Sequence, residues 1–148
     1  MRAVVQRVRN ASVCVSGDLV AEIGAGLLVF VGVGKNDDES SAAWMARKLS
    51  GLRIFADAEG RFDNSVADIE GDVLIVSQFT LYADTRKGRR PSFADASSGD
   101  DAARLYQRVI SELRALEIPA HGGRFGADMQ VALVNDGPVT ILLESPAG

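Results

Sequence analysis

The dipeptide Gly137-Pro138 stands between two apolar runs, where an ordinary hairpin would need a backbone amide that donates a hydrogen bond. Proline has no N–H to donate, and X-Pro bonds are the only peptide bonds that reach the cis form at modest cost. The preceding glycine has no Cβ to restrict that form. The segment 135–140 therefore predicts a tight, uncommon turn that could direct two bare carbonyl groups at a ligand.

A second group of polar residues, Ser77, Gln78 and Thr80, surrounds Phe79 at the end of an apolar run. Strand ends leave backbone amides and hydroxyls free to bind a ligand. One interpretation is an oxyanion site made by the main-chain N–H groups near Phe79 and Thr80, where one donor can increase a rate by ~10²-fold to 10³-fold. The other is a strand end whose hydroxyl groups cap the backbone.

A hydroxyl nucleophile also needs a base, and the sequence offers one histidine, His121, between Ala120 and two glycines. A Ser-His-Asp triad is therefore not predicted, and His121 is expected to be an exposed loop residue. Of the 20 acidic residues, the pairs 37–38 and 100–101 precede predicted helices, where the helix dipole favours negative charge. No histidine or cysteine cluster has the spacing of a metal site and no glycine-rich phosphate loop is present, so neither a metal nor another cofactor is predicted.

A basic run packs four cations into five positions of a chain whose net charge is -4. Guanidinium groups bind phosphate oxygens, and an aromatic ring such as Tyr82 or Phe93 can stack on a base. Phosphate binding is one interpretation and a solvated loop is the other. Because the chain is acidic, any nucleic-acid contact is expected to be confined to this run, which comprises Arg86, Lys87, Arg89 and Arg90.

The periodicities predict an α+β fold over one domain, residues 1–148, with a mostly antiparallel or mixed sheet and two main helices packed on one face. Alternation over 3–8 and 12–16 predicts an N-terminal hairpin, and the apolar runs 26–33 and 73–76 predict buried strands. A stripe of Ala42, Met45, Leu49 and Leu52 predicts a helix over 38–52, capped by Ser40 or Ser41. A second helix is predicted over about 100–116, ended by Pro119 and Gly122-Gly123, and two last strands, 129–134 and 139–144, flank the Gly-Pro turn.

Length, composition and cysteine content exclude several classes of protein. Hydrophobic residues make up 47% and charged residues 24%, which are the values of ordinary globular domains. Cys14 is the single cysteine, so no internal disulfide can form and a reducing cytoplasm is expected. The longest apolar stretch, 27–33, is far shorter than the ~20 residues that cross a bilayer, and the first residues do not form an export signal.

Taken together, these segments resemble the D-aminoacyl-tRNA deacylase family, also called D-tyrosyl-tRNA deacylase, over the whole chain. The motifs that carry the resemblance are Ser-Gln-Phe-Thr-Leu at 77–81 and Gly-Pro-Val-Thr at 137–140, with further similarity at 1–8, 83–88 and 90–93. Arg89 stands where the family pattern has asparagine, and it adds charge beside the expected tRNA path.

The resemblance implies hydrolysis of the ester that joins a D-amino acid to the 3′ end of tRNA, or glycine mischarged on tRNA-Ala. It implies a cytoplasmic homodimer, barrel-like at the dimer, in which the Gly137-Pro138 turn, with a cis peptide bond, enters the pocket of the other subunit and leaves no room for an L side chain. Arg7 would hold that turn in orientation, and Phe93 and Met129 would lie near the terminal adenine. The Phe79 amide would stabilise the oxyanion beside Ser77 and Gln78, while Thr80 would shape the pocket and the 2′-hydroxyl of tRNA would assist the water.

Two functions of other classes remain open from the residues alone. A non-catalytic RNA-binding module would use 86–90 and would bind tRNA without cleaving an ester. A small-molecule esterase would use Thr80 or Ser77, would cleave activated esters that lack RNA, and would need His121. The resemblance implies neither a membrane nor DNA as a partner.

Overall fold

The computed structural model describes residues 1–146 of the chain. In this part of the chain it has two helices, α1 and α2, one 3-10 turn and eight strands. Their bounds, in chain order, are β1 Arg2–Val15, β2 Asp18–Ile23, β3 Gly26–Gly32, α1 Glu39–Gly51, β4 Phe55–Ala56, β5 Phe62–Asn64, β6 Asp72–Ser77, the 3-10 turn Phe79–Tyr82, α2 Gly99–Ala115, β7 Ala120–Gly122 and β8 Gln130–Glu144.

The main sheet has the order β2-β1-β3-β6-β7, and β8 pairs with β1 on its other side. The pairs that β1 makes with β2, β3 and β8 are antiparallel, whereas β3–β6 and β6–β7 are parallel, so the sheet is mixed. β2 also contacts β6 and β7 across the intervening strands, which shows that the sheet curls toward a barrel. The predicted α+β class is confirmed, with β3 at the centre of the sheet.

An N-terminal hairpin is present, but the two alternating segments 3–8 and 12–16 both lie in one strand, β1, and the hairpin joins β1 to β2 through a two-residue turn. Ser16 has φ 51° and Gly17 has φ 85°. Positive φ at both central residues gives the backbone twist that matches two antiparallel strands. The Ser-Gly pair therefore fixes the register in which Val15 faces Asp18.

Both predicted helices are present, but the cap of α1 differs from the prediction. Asp38 is the N-cap: its carboxylate accepts the amide of Ser41, and the Ser41 hydroxyl accepts the amide of Asp38 in return. Ser40 and Ser41 therefore lie inside the first turn of the helix. The Asp38 carboxylate already accepts the Ser41 amide, which is one of the free amides that an N-cap side chain must satisfy. Neither α1 nor α2 is long and apolar enough to cross a membrane.

The core has two parts, one on each face of the sheet. The helix side holds Leu27, Val29 and Val31 of β3 against the buried stripes of α1 and α2, and the other side holds Leu28 with residues of β1, β2 and β6. Alternate β3 residues enter opposite clusters because side chains alternate across a strand. The continuous apolar run of β3 is thus buried on both faces, as the sequence predicts.

The C-terminal region departs from the prediction of two strands joined by a turn. β8 is one long element whose two halves both pair with β1, and the register passes from Gln6–Thr140 to Val8–Asn135. Residues 136–139 therefore project as a bulge opposite Arg7 instead of forming a hairpin. The two halves of β8 run in the same direction. The local apolar pattern cannot reveal this, because a hairpin and one strand with a bulge have the same alternation of apolar and polar residues.

Two further predictions for this region are wrong. Ala120–Gly122 forms β7, parallel to β6, where the sequence predicts only a break after the helix. His121 therefore lies on a strand and not in a loop, and it is half-exposed, with Nε2 3.2 Å from an Asp72 carboxylate oxygen. A three-residue strand beside a Gly-Gly pair has too few residues to show a period of two.

Candidate active site

A cavity of about 790 Å³ opens where the carboxyl end of β6 meets the amino end of α2. The 93–98 segment and the 125–129 segment complete its walls. Five of the predicted site residues line it, and they come from separate parts of the chain: Ser77, Gln78, Phe79, Phe93 and Met129. The cavity has the size of a small-molecule binding pocket.

The backbone of the 3-10 turn supplies two free hydrogen-bond donors beside this cavity. The Gln78 amide donates to the Val31 carbonyl at 2.8 Å, and the first bond of the turn runs from the Leu81 amide to the Gln78 carbonyl at 3.3 Å. The amides of Phe79 and Thr80 precede that bond, so the turn itself gives them no acceptor. Phe79 lines the cavity and Thr80 is the next residue, so these two adjacent N–H groups lie at the edge of the cavity, where such donors can stabilise a negative oxygen.

Aromatic rings form two walls of the cavity. The rings of Phe79 and Phe93 meet edge to face, with centroids 5.0 Å apart, and Phe79 is 55% exposed. On the opposite side, the rings of Tyr106 and Phe125 are 5.8 Å apart. Tyr106 is fully buried and donates its hydroxyl to the Ile75 carbonyl at 2.8 Å, and burial raises its pKa to about 12. The hydroxyl therefore stays neutral and holds α2 against β6.

Thr80 does not line the cavity. Its hydroxyl is exposed and accepts a hydrogen bond from the Gln78 side-chain amide. His121 is also absent from the cavity wall, where the charged side chains are Lys35 and Asp128. The structure thus places no histidine beside Ser77 or Thr80 within the described residues, which removes the base that the esterase alternative needs.

The Gly137-Pro138 peptide bond is cis, and Arg7 lies against this turn. Arg7 donates from Nε to the Asp136 carbonyl and from Nη1 to the Ile54 carbonyl, both at 2.7 Å. Its guanidinium carbon is 5.3 Å from the centre of the Phe62 ring. A planar group with several donors can bind two carbonyls and a ring at once, so Arg7 joins the bulge to the β4–β5 hairpin.

Asn135 holds the base of the bulge, a role that the sequence analysis missed. Its side chain accepts the Val139 amide at 2.8 Å and donates to the Val139 carbonyl at 3.1 Å. These two bonds replace the ladder bonds that the bulge interrupts. Gly137 has φ 149°, a value that L residues rarely adopt, and a Cβ there would lie 2.8 Å from Val139. The signal in the sequence is the Asn that precedes Asp-Gly-Pro, since asparagine side chains bond to nearby backbone groups in turns.

The bulge lies far from the cavity of its own chain. Arg7 faces Leu27 in the β1–β3 register, whereas the Gln78 amide bonds to Val31. Those two positions on β3 are four residues apart, which is about 13 Å along a strand. Neither Gly137 nor Pro138 lines the cavity. The two motifs singled out from the sequence are therefore not brought together within one chain.

The basic run forms a loop next to the cavity. Backbone bonds in both directions between Asp84 and Ser92 close its base, and Phe93 follows directly at the cavity wall. Arg86 pairs with Asp84 through two side-chain bonds, and these bonds hold the pKa of the Asp84 carboxyl well below its usual range. Across residues 1–146, the other cations of the run, Lys87, Arg89 and Arg90, are exposed and form no ion pair.

No group of three or more histidine, cysteine, aspartate or glutamate side chains that could hold a metal ion occurs in the described part of the chain. Besides Lys35 and Asp128, the polar groups at the cavity are backbone amides, hydroxyls and a carboxamide, which are suited to positioning an ester and a water molecule.

Comparisons with known proteins place this geometry in a family. Residues 4–144 match the family model described as D-Tyr-tRNA(Tyr) deacylase. The chain belongs to the D-Tyr-tRNA(Tyr) deacylase family. Members of this deacylase family that are similar to it include the D-aminoacyl-tRNA deacylase of Roseiflexus castenholzii, 59% identical over 98% of this chain and 92% of the relative. That of Thermotoga petrophila is 56% identical over 98% of this chain and 97% of the relative.

Two solved structures share the deacylase fold. The c-Myc DNA unwinding element binding protein superposes with a TM-score of 0.92 at 43% identity and covers 99% of this chain and 100% of its own. A probable eukaryotic D-amino acid tRNA deacylase superposes with a TM-score of 0.81 at 18% identity over 96% of this chain and 97% of its own. The second likeness shows the fold alone.

Proposed function

We propose that this chain hydrolyses the ester bond of D-aminoacyl-tRNA, and of glycyl-tRNA mischarged on tRNA-Ala, and releases free tRNA and the amino acid. The observation that carries the proposal is the cavity with the free amides of Phe79 and Thr80 at its edge, in a chain that belongs to the D-Tyr-tRNA(Tyr) deacylase family. Relatives that share 54–59% of their residues with it carry the name D-aminoacyl-tRNA deacylase.

The chemistry needs little from side chains because an aminoacyl ester is already activated. A water oxygen attacks the ester carbonyl, and the Phe79 amide, with the Thr80 amide beside it, stabilises the resulting oxyanion. Ser77 and Gln78 line the cavity and orient the aminoacyl group, while Thr80 shapes the turn through its bond to Gln78. The 2′-hydroxyl of tRNA takes a proton from the attacking water as it passes its own proton to the 3′ oxygen, and the acyl bond to that oxygen breaks, so the products are the free amino acid and a tRNA with its 3′-hydroxyl restored.

The proposed active unit is a homodimer, and the argument comes from β8. Within the described residues β8 pairs with β1 alone, so one edge of a long strand has no partner. Leu142 is 77% exposed and lies in register with Val4, which in turn faces Phe30. A long, apolar strand edge favours pairing with another chain. A second copy of the chain would cover this apolar row, which consists of Leu142, Val4 and Phe30, and would bring its own Gly137-Pro138 bulge toward the cavity.

Selectivity is proposed to come from the Gly137-Pro138 turn of the second copy. Backbone carbonyls held rigidly next to the α-carbon of the substrate would collide with an L side chain, whereas a D side chain would point away and glycine has none. Arg7 supports this proposal because it fixes the Asp136 carbonyl next to the turn. In one chain, the β3 residue that pairs with Arg7 opposite the bulge and the β3 residue that bonds to Gln78 at the cavity are about 13 Å apart. This separation favours a contribution from the bulge of the partner.

Binding of the tRNA end is proposed to use the cavity and the basic loop together. Phe93 and Met129 line the cavity and would contact the terminal adenine, since base stacking on a side chain is worth ~1–3 kcal/mol. The loop that carries Lys87, Arg89 and Arg90 would bind backbone phosphates next to that base. Arg86 would contribute less, because its guanidinium is bound to Asp84.

The proposal is tested with one tRNA charged in parallel with D-Tyr, L-Tyr and Gly, each mixed with the protein while ester loss is followed. Loss of the D-Tyr and Gly esters with retention of L-Tyr is expected. Comparable loss of D-Tyr and L-Tyr would contradict steric rejection. An activated aryl ester without RNA serves as the control substrate, and its cleavage, abolished in His121→Ala, would favour a small-molecule esterase. Binding of tRNA without any ester loss would favour a non-catalytic RNA-binding module.

A further inference from the structure

The 3-10 turn that carries the free amides is not held in place by burial. None of its four residues is buried, and its first side chain, Phe79, is 55% exposed. An exposed one-turn helix has little stability of its own, since short helices gain their stability from tertiary packing. Donors that stabilise an oxyanion must nevertheless be fixed before the reaction. Specific contacts must therefore fix this turn.

The contacts at the C-terminal end of the turn come from Arg2 and Tyr82. Arg2 donates from Nη1 to the Leu81 carbonyl at 3.2 Å, and its guanidinium carbon lies 4.6 Å from the centre of the Tyr82 ring. Arg2 is itself oriented by Glu144, to which Nε donates at 3.0 Å. The Tyr82 hydroxyl donates to Asp37 at 3.2 Å. One arginine thus contacts both the Leu81 carbonyl and the ring of Tyr82, the last residue of the turn.

Two glycines, one at the end of β3 and one just after it, allow the turn to approach this closely. A Cβ on Gly34 would lie 2.6 Å from the Tyr82 hydroxyl, and a Cβ on Gly32 would lie 2.9 Å from the Gln78 carbonyl. The Gly34 amide also donates to the same Asp37 carboxylate, at 2.6 Å. The half-buried Tyr82 ring therefore packs directly against the backbone of Gly34. Burial and the nearby Asp37 carboxylate raise the pKa of the Tyr82 hydroxyl, so the hydroxyl remains a hydrogen-bond donor.

We infer that Tyr82 and Arg2 are positioning residues for the reaction: they clamp the C-terminal end of the 79–82 turn so that the Phe79 and Thr80 amides keep a fixed direction toward the cavity. The N-terminal end is fixed by the bond from the Gln78 amide to Val31. The inference rests on the proposed function for its catalytic consequence, but the ordering of the two amides can be measured without any substrate.

The test compares Tyr82→Ala, Tyr82→Phe and Arg2→Lys with Arg47→Ala, an exposed arginine of α1, as the control. For D-Tyr-tRNA, Tyr82→Ala is expected to lower kcat by ~10²-fold, the value of one oxyanion donor, with KM little changed. Tyr82→Phe keeps the ring against Gly34 and loses only the hydrogen bond to Asp37. Its kcat is therefore expected to fall by only about two- to tenfold. L-Tyr-tRNA is expected to stay uncleaved, because the selectivity turn is elsewhere.

An NMR measurement on the protein without tRNA keeps the inference separate from the proposed function. In Tyr82→Ala and Arg2→Lys, the Phe79 and Thr80 amide signals are expected to broaden by exchange, while those of the β3 centre and of Arg47→Ala do not change. Gly34→Ala alone should broaden the Phe79 and Thr80 amide signals, because its Cβ would clash with the Tyr82 ring. In the double variant with Tyr82→Ala it should cause no further broadening, since the ring is no longer there. Unchanged amide signals in Tyr82→Ala, or a higher KM at unchanged kcat, would overturn the inference. Ordered amides in a native protein that cleaves no ester would instead contradict the proposed function.

Discussion

Arg7 and Arg9 both contact Asp136, yet they differ in what they bind. Arg7 is half-buried and donates to the main-chain carbonyls of Asp136 and Ile54, whereas Arg9 is 72% exposed and reaches only the Asp136 carboxylate at 3.4 Å. Hydrogen bonds from a charged donor to buried carbonyls contribute more than an exposed ion pair, because water screens the pair. At the scale of single residues, the orientation of the Gly137-Pro138 turn therefore depends on Arg7.

Replacing Arg7 with Lys is expected to lower the free energy of unfolding by about 1–3 kcal/mol, because an ammonium group cannot bind both carbonyls in the fork geometry of a guanidinium. Cleavage of L-Tyr-tRNA relative to D-Tyr-tRNA is expected to rise. Urea unfolding and the paired deacylation assay measure the two effects. Arg9→Lys is the control, with an expected change within about 0.5 kcal/mol. An Arg7→Lys protein with native stability and native discrimination would rule out this role.

At the scale of elements, the site depends on how closely β3 and β6 approach. Gly26 begins β3, opposite Asp72 of β6, and a Cβ there would lie 1.9 Å from the Asp72 carbonyl. The parallel β3–β6 pair carries the 79–82 turn at its other end, so its register sets where the free amides lie. Gly24, two residues earlier, has open space around it.

Gly26→Ala is expected to destabilise the protein by ~3 kcal/mol or more, because the clash is with backbone and cannot be relieved by a rotamer change. Gly24→Ala is the matched control, and its loss of unfolded-chain entropy is expected to leave stability unchanged or slightly increased. Thermal unfolding of both variants gives the comparison. Equal melting temperatures would show that β3 and β6 do not need this contact.

At the scale of the whole molecule, the cavity and the bulge at 136–139 of one chain lie apart. The residue of β3 that pairs with Arg7, opposite the bulge, is about 13 Å along the strand from the residue that bonds to Gln78 at the cavity. An apolar row crosses the neighbouring strands, in which Leu142 of β8 is 77% exposed and lies in register with Val4 of β1. Val4 points away from the helices, since Ala3 and Val5 enter the helix-side core. A second copy on this face would complete the site.

Leu142→Glu is expected to convert the proposed dimer into a monomer, because a charge would be buried without a partner at the centre of the apolar row. Light scattering after size exclusion measures the mass. In the monomer, cleavage of D-Tyr-tRNA is expected to be lost or to lose its preference over L-Tyr-tRNA, while far-UV circular dichroism is unchanged. Leu116→Glu, on an exposed leucine at the end of α2, is the control. A dimeric Leu142→Glu protein with native selectivity would exclude this face as the interface.

The sequence alone determined the class of fold, the two helices and the buried central strand, because alternation and helical spacing record which side of each element is buried. The sequence also pointed to five residues that line the cavity, which are Ser77, Gln78, Phe79, Phe93 and Met129, but Thr80 of the same motif does not line it.

Only the tertiary structure decided that the Gly-Pro segment is a bulge in one strand, that Asp38 caps α1, that 120–122 form a strand, and that Arg2 and Tyr82 clamp the 79–82 turn. Each of these depends on which distant backbone group comes within hydrogen-bond reach. Arg2 and Leu81 are far apart in the chain, and local periodicity carries no information about such pairs, whereas strand pairing brings them together.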